Sequence, residues 1–393
     1  MKADDFNMVW EAFPGTDLST LALPDYYSNY FAYSYETLKY PNTGLRITGD
    51  FPDARYLSFN IYSTRTGTSL GAFSDYQIRT QDGNVNPFVA GSDASAQKRQ
   101  YVINVQPTQP TNDATDAEQT TPGSDTPENL LTFNPSELKA GLLTIIIRYY
   151  VPQGEQGRVK LPKIEPYPVT GNEQVTLPPP YPQRMELNEP ILHKRLAKIF
   201  QTVSGDELRF YHAGGGGQFN NADNLYLICG VENVDGRDNV VILKVRPPAY
   251  PRTNEEFDKT AVRYWSFNQG NPDTSTPYGM KDEEFRRASD GFVYIVMGDD
   301  EVVRGRAEQG GYNYMPWKAN KKQAVILYRN MLTVPQYRGS LARVPVLTLP
   351  TDEATIIAYE APRHINEHAP VGRKVTAREF NDSYGGMPSP GFA

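Results

Sequence analysis

The chain has 393 residues, a formal net charge of −7 and one cysteine. The charge argues against a nucleic-acid partner, because such binders carry a basic surface, and the lone Cys229 excludes an intrachain disulfide or a thiolate metal cluster. No apolar run approaches the roughly 20 residues that a membrane helix requires, so we expect no membrane span. Tyrosine (26), proline (32) and glycine (31) are abundant, which is typical of proteins built from many short strands.

The first part of the chain predicts a short arm followed by a β domain. Residues 1–30 carry Trp10, Phe13 and three tyrosines among prolines, which favours an aromatic N-terminal arm. Alternating or β-branched runs then predict the strands of a first domain over 31–164: Phe31–Thr37, Gly44–Gly49, Arg55–Tyr62, Tyr101–Val105 and Leu142–Val151. Residues 106–130 are rich in Pro, Thr, Asp, Asn and Ser, a composition typical of a mobile surface loop.

A proline-rich linker and one helix are predicted over 165–203. The apolar residues of Pro190–Val203 share one helical face. Strand patterns then recur in a second domain over 204–345, in the order of the first: Asn224–Gly230, Asn239–Arg246, Arg263–Asn268, Phe292–Met297 and Ala324–Arg329. Residues 346–393 are expected to form a C-terminal extension.

One sequence signature occurs twice. Ala54-Arg55-Tyr56-Leu57-Ser58-Phe59-Asn60 returns as Ala261-Val262-Arg263-Tyr264-Trp265-Ser266-Phe267-Asn268. Arg55 and Arg263 lie 208 positions apart, about half the chain, so the repeat indicates a duplicated domain and not a solenoid of short units.

Several motifs of the second half resemble a large family of uncharacterised, mostly bacterial and often exported proteins. The motifs are Asn221–Leu227, Val245–Thr253, Val262–Ser266, Met315–Trp317 and Val325–Leu332. A looser likeness, through Ser289-Asp290-Gly291 and Arg148-Tyr149-Tyr150, runs to a jelly-roll domain of bacterial two-domain proteins. Relatives often carry a cysteine where this chain has Tyr278-Gly279-Met280, so no role of that cysteine is carried over.

The resemblance covers roughly residues 40–340 and implies paired β-sandwiches, but no activity. Together with the repeat, it gives our prediction of the fold class. We expect an all-β protein of two tandem homologous jelly-roll-like β-sandwich domains, joined by a proline-rich strap and one short helix.

The polar face of the signature strands is the candidate ligand site. Arginines, amides and flat aromatic surfaces together can bind a sugar or a carboxylate by stacking and paired hydrogen bonds. The structural alternative is that the arginines pair with carboxylates and the rings fill the core. The candidate residues are Arg55, Asn60, Arg148, Tyr150, His212, Arg263, Trp265, Asn268, Trp317 and Arg329. His212 is included because Gly214–Gly217 follows it, either as a lid over a pocket or as a plain turn.

Three functions fit these features. The first is a binding or assembly protein that self-associates through the N-terminal arm and the C-terminal tail. The second is a glycan- or small-molecule-active enzyme with a cleft between the lobes, using carboxylates such as Asp75 or Asp223. The third is a zinc hydrolase at His364-Ile365-Asn366-Glu367-His368, although Pro362 and Pro370 bracket that motif and favour an exposed turn. We favour the first.

The expected partners follow from that choice. They are a second copy of the chain or a carbohydrate or small polar ligand, with no metal or cofactor. The segment Met1–Asp5 is not followed by the apolar stretch of a signal peptide. We expect an exported protein whose leader has been removed, ahead of a cytoplasmic one.

Overall fold

The chain folds into two compact units. The computed structural model describes residues 10–13, 23–108, 129–153, 160–181, 197–200, 202–203, 205–213, 219–234, 239–348 and 351–383. Unit 1 contains the described residues in 10–13, 28–181 and 219–221, and unit 2 contains those in 23–27, 197–213 and 222–383. Both units are made mainly of strands, which confirms the predicted all-β, sandwich-like fold.

Unit 1 contains two sheets, with strand orders β1-β2-β8-β4-β5 and β7-β6-β3-β9. All pairings are antiparallel except that of β6 with β7. The strands are β1 Glu11–Phe13, β2 Ser28–Glu36, β3 Thr43–Asp50, β4 Tyr56–Ser63, β5 Thr68–Ser74, β6 Gln100–Pro107, β7 Leu130–Phe133, β8 Leu142–Tyr150 and β9 Lys163–Pro168. Short 3₁₀ turns lie at Thr37–Lys39, Asp75–Gln77, Pro135–Glu137 and Lys139–Gly141.

Unit 2 contains two large sheets, β12-β18-β14-β15 and β10-β20-β13-β16-β17, and the pair β11-β19. The strands are β10 Glu207–Leu208, β11 His212–Ala213, β12 Asn224–Glu232, β13 Asn239–Val245, β14 Tyr264–Gly270, β15 Tyr278–Lys281, β16 Val293–Gly298, β17 Asn313–Pro316, β18 Gln323–Met331, β19 Val346–Leu347 and β20 Val371–Thr376. Its helices are Glu301–Gln309, Glu353–Ala358, Pro362–Ile365 and Ala377–Ser383, with 3₁₀ turns at Asn254–Glu256, Asp282–Glu284, Leu341–Arg343 and Asn366–His368.

The two units share one strand order. The sequence β2-β8-β4-β5 of unit 1 corresponds to β12-β18-β14-β15 of unit 2, and β7-β6-β3-β9 corresponds to β17-β16-β13-β20. The repeated signature forms β4 in one unit and β14 in the other. The register also agrees, because Ser58 lies opposite Arg148 and Ser266 lies opposite Arg329.

The period-two alternation of the signature strands explains their position. In β14, Trp265 and Phe267 point into the main hydrophobic core with Tyr328 of β18, whereas Ser266 and Asn268 fall on the opposite face. Phe59 of β4 makes the matching inward contact, with its ring centroid 5.5 Å from that of Tyr101 on β6. Each signature strand therefore carries an apolar inner face and a polar outer face.

The described residues correct several predicted boundaries. Strand β2 begins at Ser28, inside the predicted arm, and pairs with β1. Strand β6 runs to Pro107 and β7 begins at Leu130, so these residues are not loop. Most of the predicted loop (109–128) and most of the predicted helix (190–196) lie outside the described residues. The glycine run (214–217) and the tail (384–393) also lie outside them. Of the predicted helix, 197–200 are helical.

The segment 346–393 is not a simple extension. Strand β20 pairs with both β10 and β13, and Ala361, Ile365 and Ala369 belong to the main core of unit 2. The sequence signal was weak because β20 reads Val-Gly-Arg-Lys-Val-Thr, which lacks a strong apolar alternation. None of the helices in the described part of the chain has the length and apolarity needed to span a bilayer.

Alkaline pH should destabilise the protein through its buried tyrosines. Burial is the first cause that raises the pKa of Tyr101, Tyr264 and Tyr328 well above 10.0, whereas unfolded tyrosines ionise near that value. The stabilisation is therefore complete below about pH 10 and is lost above it, by about 1.4 kcal/mol per pH unit for each tyrosine. Denaturant unfolding between about pH 9 and 11 measures the slope. The Tyr101→Phe variant should lower that slope by the contribution of one proton, about 1.4 kcal/mol per pH unit. A free energy of unfolding that does not change with pH would contradict the prediction.

Cys229 should be unreactive in the folded protein. The thiol is fully buried, and burial raises its pKa to about 12, so little thiolate is present at neutral pH. Ellman's reagent should modify it only after denaturation, and the rate should follow the opening of unit 2. Rapid modification of the native protein would show that the core around β12 is open to solvent.

Candidate functional site

Arg148 and Arg329 occupy matching positions near the ends of β8 and β18. Tyr328, the neighbour of Arg329, belongs to the core, so the arginine points to the opposite face of its sheet. Only 2% of Arg148 and 5% of Arg329 is exposed. A buried guanidinium is costly unless acceptors satisfy its N–H groups, and the identity of those acceptors defines this face.

In unit 2 an acceptor comes from Leu23–Tyr27, hereafter the Leu23 segment. Arg329 Nη2 donates to the carbonyl of Leu23. The Leu23 N–H in turn donates to the carbonyl of Thr274 at 2.9 Å, and its side chain packs in a small apolar cluster with Val325. A Cβ on Gly270 would collide with Leu23, so glycine at that position allows the close approach of the segment.

Asp25 of the Leu23 segment places a carboxylate among the polar side chains of β14. Its Oδ1 accepts from Tyr264 Oη at 2.8 Å, and its Oδ2 accepts from Ser266 Oγ at 2.6 Å and Asn268 Nδ2 at 3.2 Å. Arg329 Nε lies 3.9 Å from the same Oδ2. Burial, and then the charge of Asp25, raise the pKa of Tyr264 well above its ordinary value, so Tyr264 remains a neutral donor.

Unit 1 repeats this arrangement with residues 219–221, hereafter the Phe219 segment. Arg148 Nη2 donates to the carbonyl of Phe219, and the Phe219 N–H donates to the carbonyl of Gly67 at 3.0 Å. Leu23 and Phe219 even share a left-handed backbone, with φ of 51° and 57°. Non-glycine residues adopt this conformation at a cost, so its occurrence at both positions marks the same local structure.

The Phe219 segment also accepts hydrogen bonds from two tyrosines. Tyr56 Oη donates to Asn221 Oδ1 at 3.0 Å, and Tyr62 Oη donates to the carbonyl of Asn220 at 2.8 Å. Asn221 thus takes the place that Asp25 takes in unit 2.

Aromatic rings lie around Arg148, in the place where unit 2 has the Asp25 carboxylate near Arg329. Its guanidinium lies 5.2 Å from the ring centre of Tyr30 and 5.5 Å from that of Tyr62. Burial alone would lower its pKa, but the surrounding tyrosines, Tyr62 first, leave that pKa above its ordinary value. Both arginines are therefore charged groups held inside protein, one by a carboxylate and one mainly by rings and a carbonyl.

Each of the two segments belongs to a different unit from the residues around it in the sequence. The Leu23 segment is part of unit 2, although residues 1–16 and 28–187 are part of unit 1. The Phe219 segment is part of unit 1, although 188–217 and 222–393 are part of unit 2. Each half of the chain, 1–187 or 188–393, thus carries one unit and the segment that covers the arginine of the other.

Half of the predicted site residues fall on these two faces. Asn60 Oδ1 accepts from Tyr62, and Tyr150 Oη is 2.8 Å from Tyr30 Oη, both beside Arg148 in unit 1. Asn268 and Arg329 form the matching set in unit 2. Five of the ten candidates therefore form two sets, one in each unit, and in each set a main-chain carbonyl accepts from the arginine.

The other five candidates lie elsewhere. Trp265 and Trp317 belong to the hydrophobic core of unit 2, as the structural alternative predicted. Arg55 precedes β4, where its N–H donates to the carbonyl of Tyr150. The guanidinium of Arg263 lies 3.6 Å from the ring centre of Phe257. His212 lies on β11, and its Nδ1 is 3.2 Å from the carbonyl of Val344.

The candidate catalytic groups have structural contacts. Asp75 is fully buried, and its carboxylate accepts from the N–H groups of Leu57 and Tyr76. His364 and His368 each have a ring nitrogen near a backbone carbonyl, at 3.0 and 3.1 Å. Within the described ranges, no group of three or more His, Cys, Asp or Glu side chains is placed to hold a metal ion.

The sequence reading missed a second repeated motif. Asp75-Tyr76-Gln77-Ile78-Arg79 corresponds to Asp282-Glu283-Glu284-Phe285-Arg286, 207 positions later. Asp282 accepts from the Trp265 N–H just as Asp75 accepts from that of Leu57. The shared Asp-x-Gln/Glu-x-Arg spacing was readable, whereas no local pattern connects Asp25 to a strand some 240 positions away.

Asn129 and Asn313 add a further matching pair of contacts. Asn129 Oδ1 accepts from the Arg79 N–H and its Nδ2 donates to the Arg79 carbonyl, and Asn313 does the same with Arg286. Asn129 precedes β7, and Asn313 begins β17. Each side-chain amide therefore links that strand to the segment that follows the hairpin β4-β5 or β14-β15.

Comparisons with known proteins add support for the fold alone. No protein-family model matches the chain, and no curated protein matches it. The chain is similar to the crystal structure of an uncharacterised protein from Burkholderia cenocepacia, with a TM-score of 0.55 and 11% identity over 93% of this chain and 81% of that one. It also matches a protein from Vibrio parahaemolyticus, with a TM-score of 0.43 and 10% identity over 90% of each chain. The Burkholderia match agrees with a sandwich-like β architecture.

Removal of the Asp25 carboxylate should destabilise unit 2. Asp25→Ala leaves the buried Arg329, Tyr264 and Ser266 without their shared acceptor, so we expect a loss of about 3 kcal/mol in the free energy of unfolding. Asn221→Ala removes a neutral contact and should cost about 1 kcal/mol. Asp53→Ala, which removes an exposed carboxylate that pairs with Arg99, is the control and should change little. Equal effects of the three substitutions in urea unfolding would contradict this ranking.

Proposed function

We propose that this chain is a non-catalytic binding and assembly protein, built from two duplicated jelly-roll-like domains that complete each other with short segments. The observation that carries the proposal is the occupancy of the two polar faces. The donors that a sugar or a carboxylate ligand would use are already directed at Leu23, Asp25 and the Phe219 segment. These faces serve attachment of chain segments and not catalysis.

The duplication is supported by contacts as well as by strand order. A carboxylate that accepts from the main-chain N–H of the signature strand occurs in both units, and so does the asparagine that bonds both main-chain groups of an arginine. Unrelated sandwiches would share strand order more readily than such a set of side-chain contacts. The motif likeness to the exported bacterial family agrees with this origin, and we propose membership in it on those motifs.

Assembly is supported by the exchanged membership of the two segments. In a domain-swapped dimer, each copy gives an identical element to the other, and such swapping is a low-cost route to association. The two halves of this chain have that relation within one polypeptide, because each supplies the segment that the other unit contains. We infer that two copies of an ancestral single-domain protein exchanged this segment before they were fused.

We assign the predicted self-association through the arm to the Leu23 segment. The Leu23 segment lies within the predicted arm 1–30 and carries both an apolar anchor, Leu23, and a charged anchor, Asp25. A carbohydrate or small polar ligand at the arginines is not part of the proposal, because their donors are directed at protein. The enzyme alternative is not part of the proposal, because the Asp75 carboxylate accepts from backbone N–H groups.

The proposal predicts concentration-dependent self-association of the full chain. Sedimentation velocity over a range from nanomolar to high micromolar concentration should show a dimer or larger species that dissociates on dilution. Because the attachment is directed by a buried carboxylate rather than by surface charge, added salt should change the dissociation constant little. A monomer at every concentration would contradict assembly, and turnover of a substrate would contradict the absence of catalysis.

A further inference from the structure

We propose that the partner in this assembly is a second copy of the chain, and that the Leu23 segment of one copy inserts at Arg329 of the other. This inference rests on the proposed function and names its partner and its contact. Its basis is that the Leu23 segment belongs to unit 2, although the chain on both of its sides belongs to unit 1. The Leu23 segment is therefore held in unit 2 by non-covalent contacts and not by its neighbours in the sequence.

The recognition is specific enough to act between molecules. The Leu23 carbonyl accepts from Arg329, and the Asp25 carboxylate accepts from Tyr264 and Ser266. The main chain adds two more bonds, from the Tyr26 N–H to Asn268 Oδ1 at 2.9 Å and from Thr276 Oγ1 to the Pro24 carbonyl at 2.7 Å. The partner chemistry is therefore a peptide with an apolar side chain, a left-handed turn and a carboxylate two residues later.

The Phe219 segment does not meet these requirements. It presents Asn221 where the Leu23 segment presents Asp25, and the amide Oδ1 of Asn221 accepts from Tyr56 Oη. Placed at Arg329, an amide would supply no negative charge and would turn its N–H₂ group toward donors such as Ser266 and Asn268. Exchange between copies is thus selective: the Arg329 face takes the Leu23 segment of a second copy and rejects the Phe219 segment.

Exchange would replace the hydrogen bonds of the Leu23 segment by identical ones. A second copy offers the same carbonyl and carboxylate, so the bonds broken in one molecule are remade in another. The halves 1–187 and 188–393 are joined once, at Leu187–Asn188. Mass action then decides the fraction of exchanged molecules, which rises with protein concentration.

Complementation between two full-length variants tests the exchange. The acceptor variant carries Asp25→Ala, so its own segment is defective and its Cys229 becomes accessible to Ellman's reagent. The donor variant carries Arg329→Met and Cys229→Ala, so its Leu23 segment is intact and it contributes no signal. We expect an excess of donor to slow modification of the acceptor thiol at least tenfold. The matched control is a donor that also carries Asp25→Ala, which should give no protection.

A second donor guards against misfolding of the first. The Cys229→Ala protein, otherwise unchanged, has an intact segment and an intact Arg329 face, and in excess it should also protect the acceptor thiol. If neither donor protects it while sedimentation still shows dimers, exchange is wrong and the proposed assembly stands. If neither protects it and the chain is monomeric, both proposals fail. Equal protection by the control donor would likewise overturn the exchange.

Discussion

The guanidinium groups of Arg148 and Arg329 lie inside protein, and each needs an acceptor that its own sheet does not provide. The peptide groups of a sheet are already paired with one another, so the acceptor must come from chain outside the ladder. In both units it is the carbonyl of a residue in a left-handed conformation, Leu23 or Phe219. This requirement connects the sandwiches to their covering segments.

The two solutions differ in charge. At Arg329 a carboxylate is shared with hydroxyl and amide donors, whereas at Arg148 the positive charge faces tyrosine rings and the carbonyl of Phe219. A charge-assisted cluster loses more when a single member is removed, because a buried charge remains without its counterpart. Unit 2 therefore depends more strongly on the chemistry of its covering segment, although the two units have the same strand order.

The strands were predictable because their signals are local. Alternation in Tyr56–Ser63 and the largely apolar run of Leu142–Tyr150 require no knowledge of distant residues, and the repeat of the signature indicated two similar units. The role of the arginines was not predictable in the same way. Side chains around Asp25 come from positions some 240 residues later, and the strand Val371–Thr376 is defined by backbone pairing with Asn239–Val245 instead of by its own pattern.

The division of each unit between the two halves of the chain has a consequence for synthesis. A ribosome completes β9, the last strand of unit 1 among the described residues, at Pro168, but the residues that cover Arg148 are translated only some 50 codons later. The Leu23 segment is translated 306 codons before Arg329, which donates to its carbonyl. Unlike domains that fold one after another as they emerge, neither unit of this protein can be finished while the nascent chain is still short.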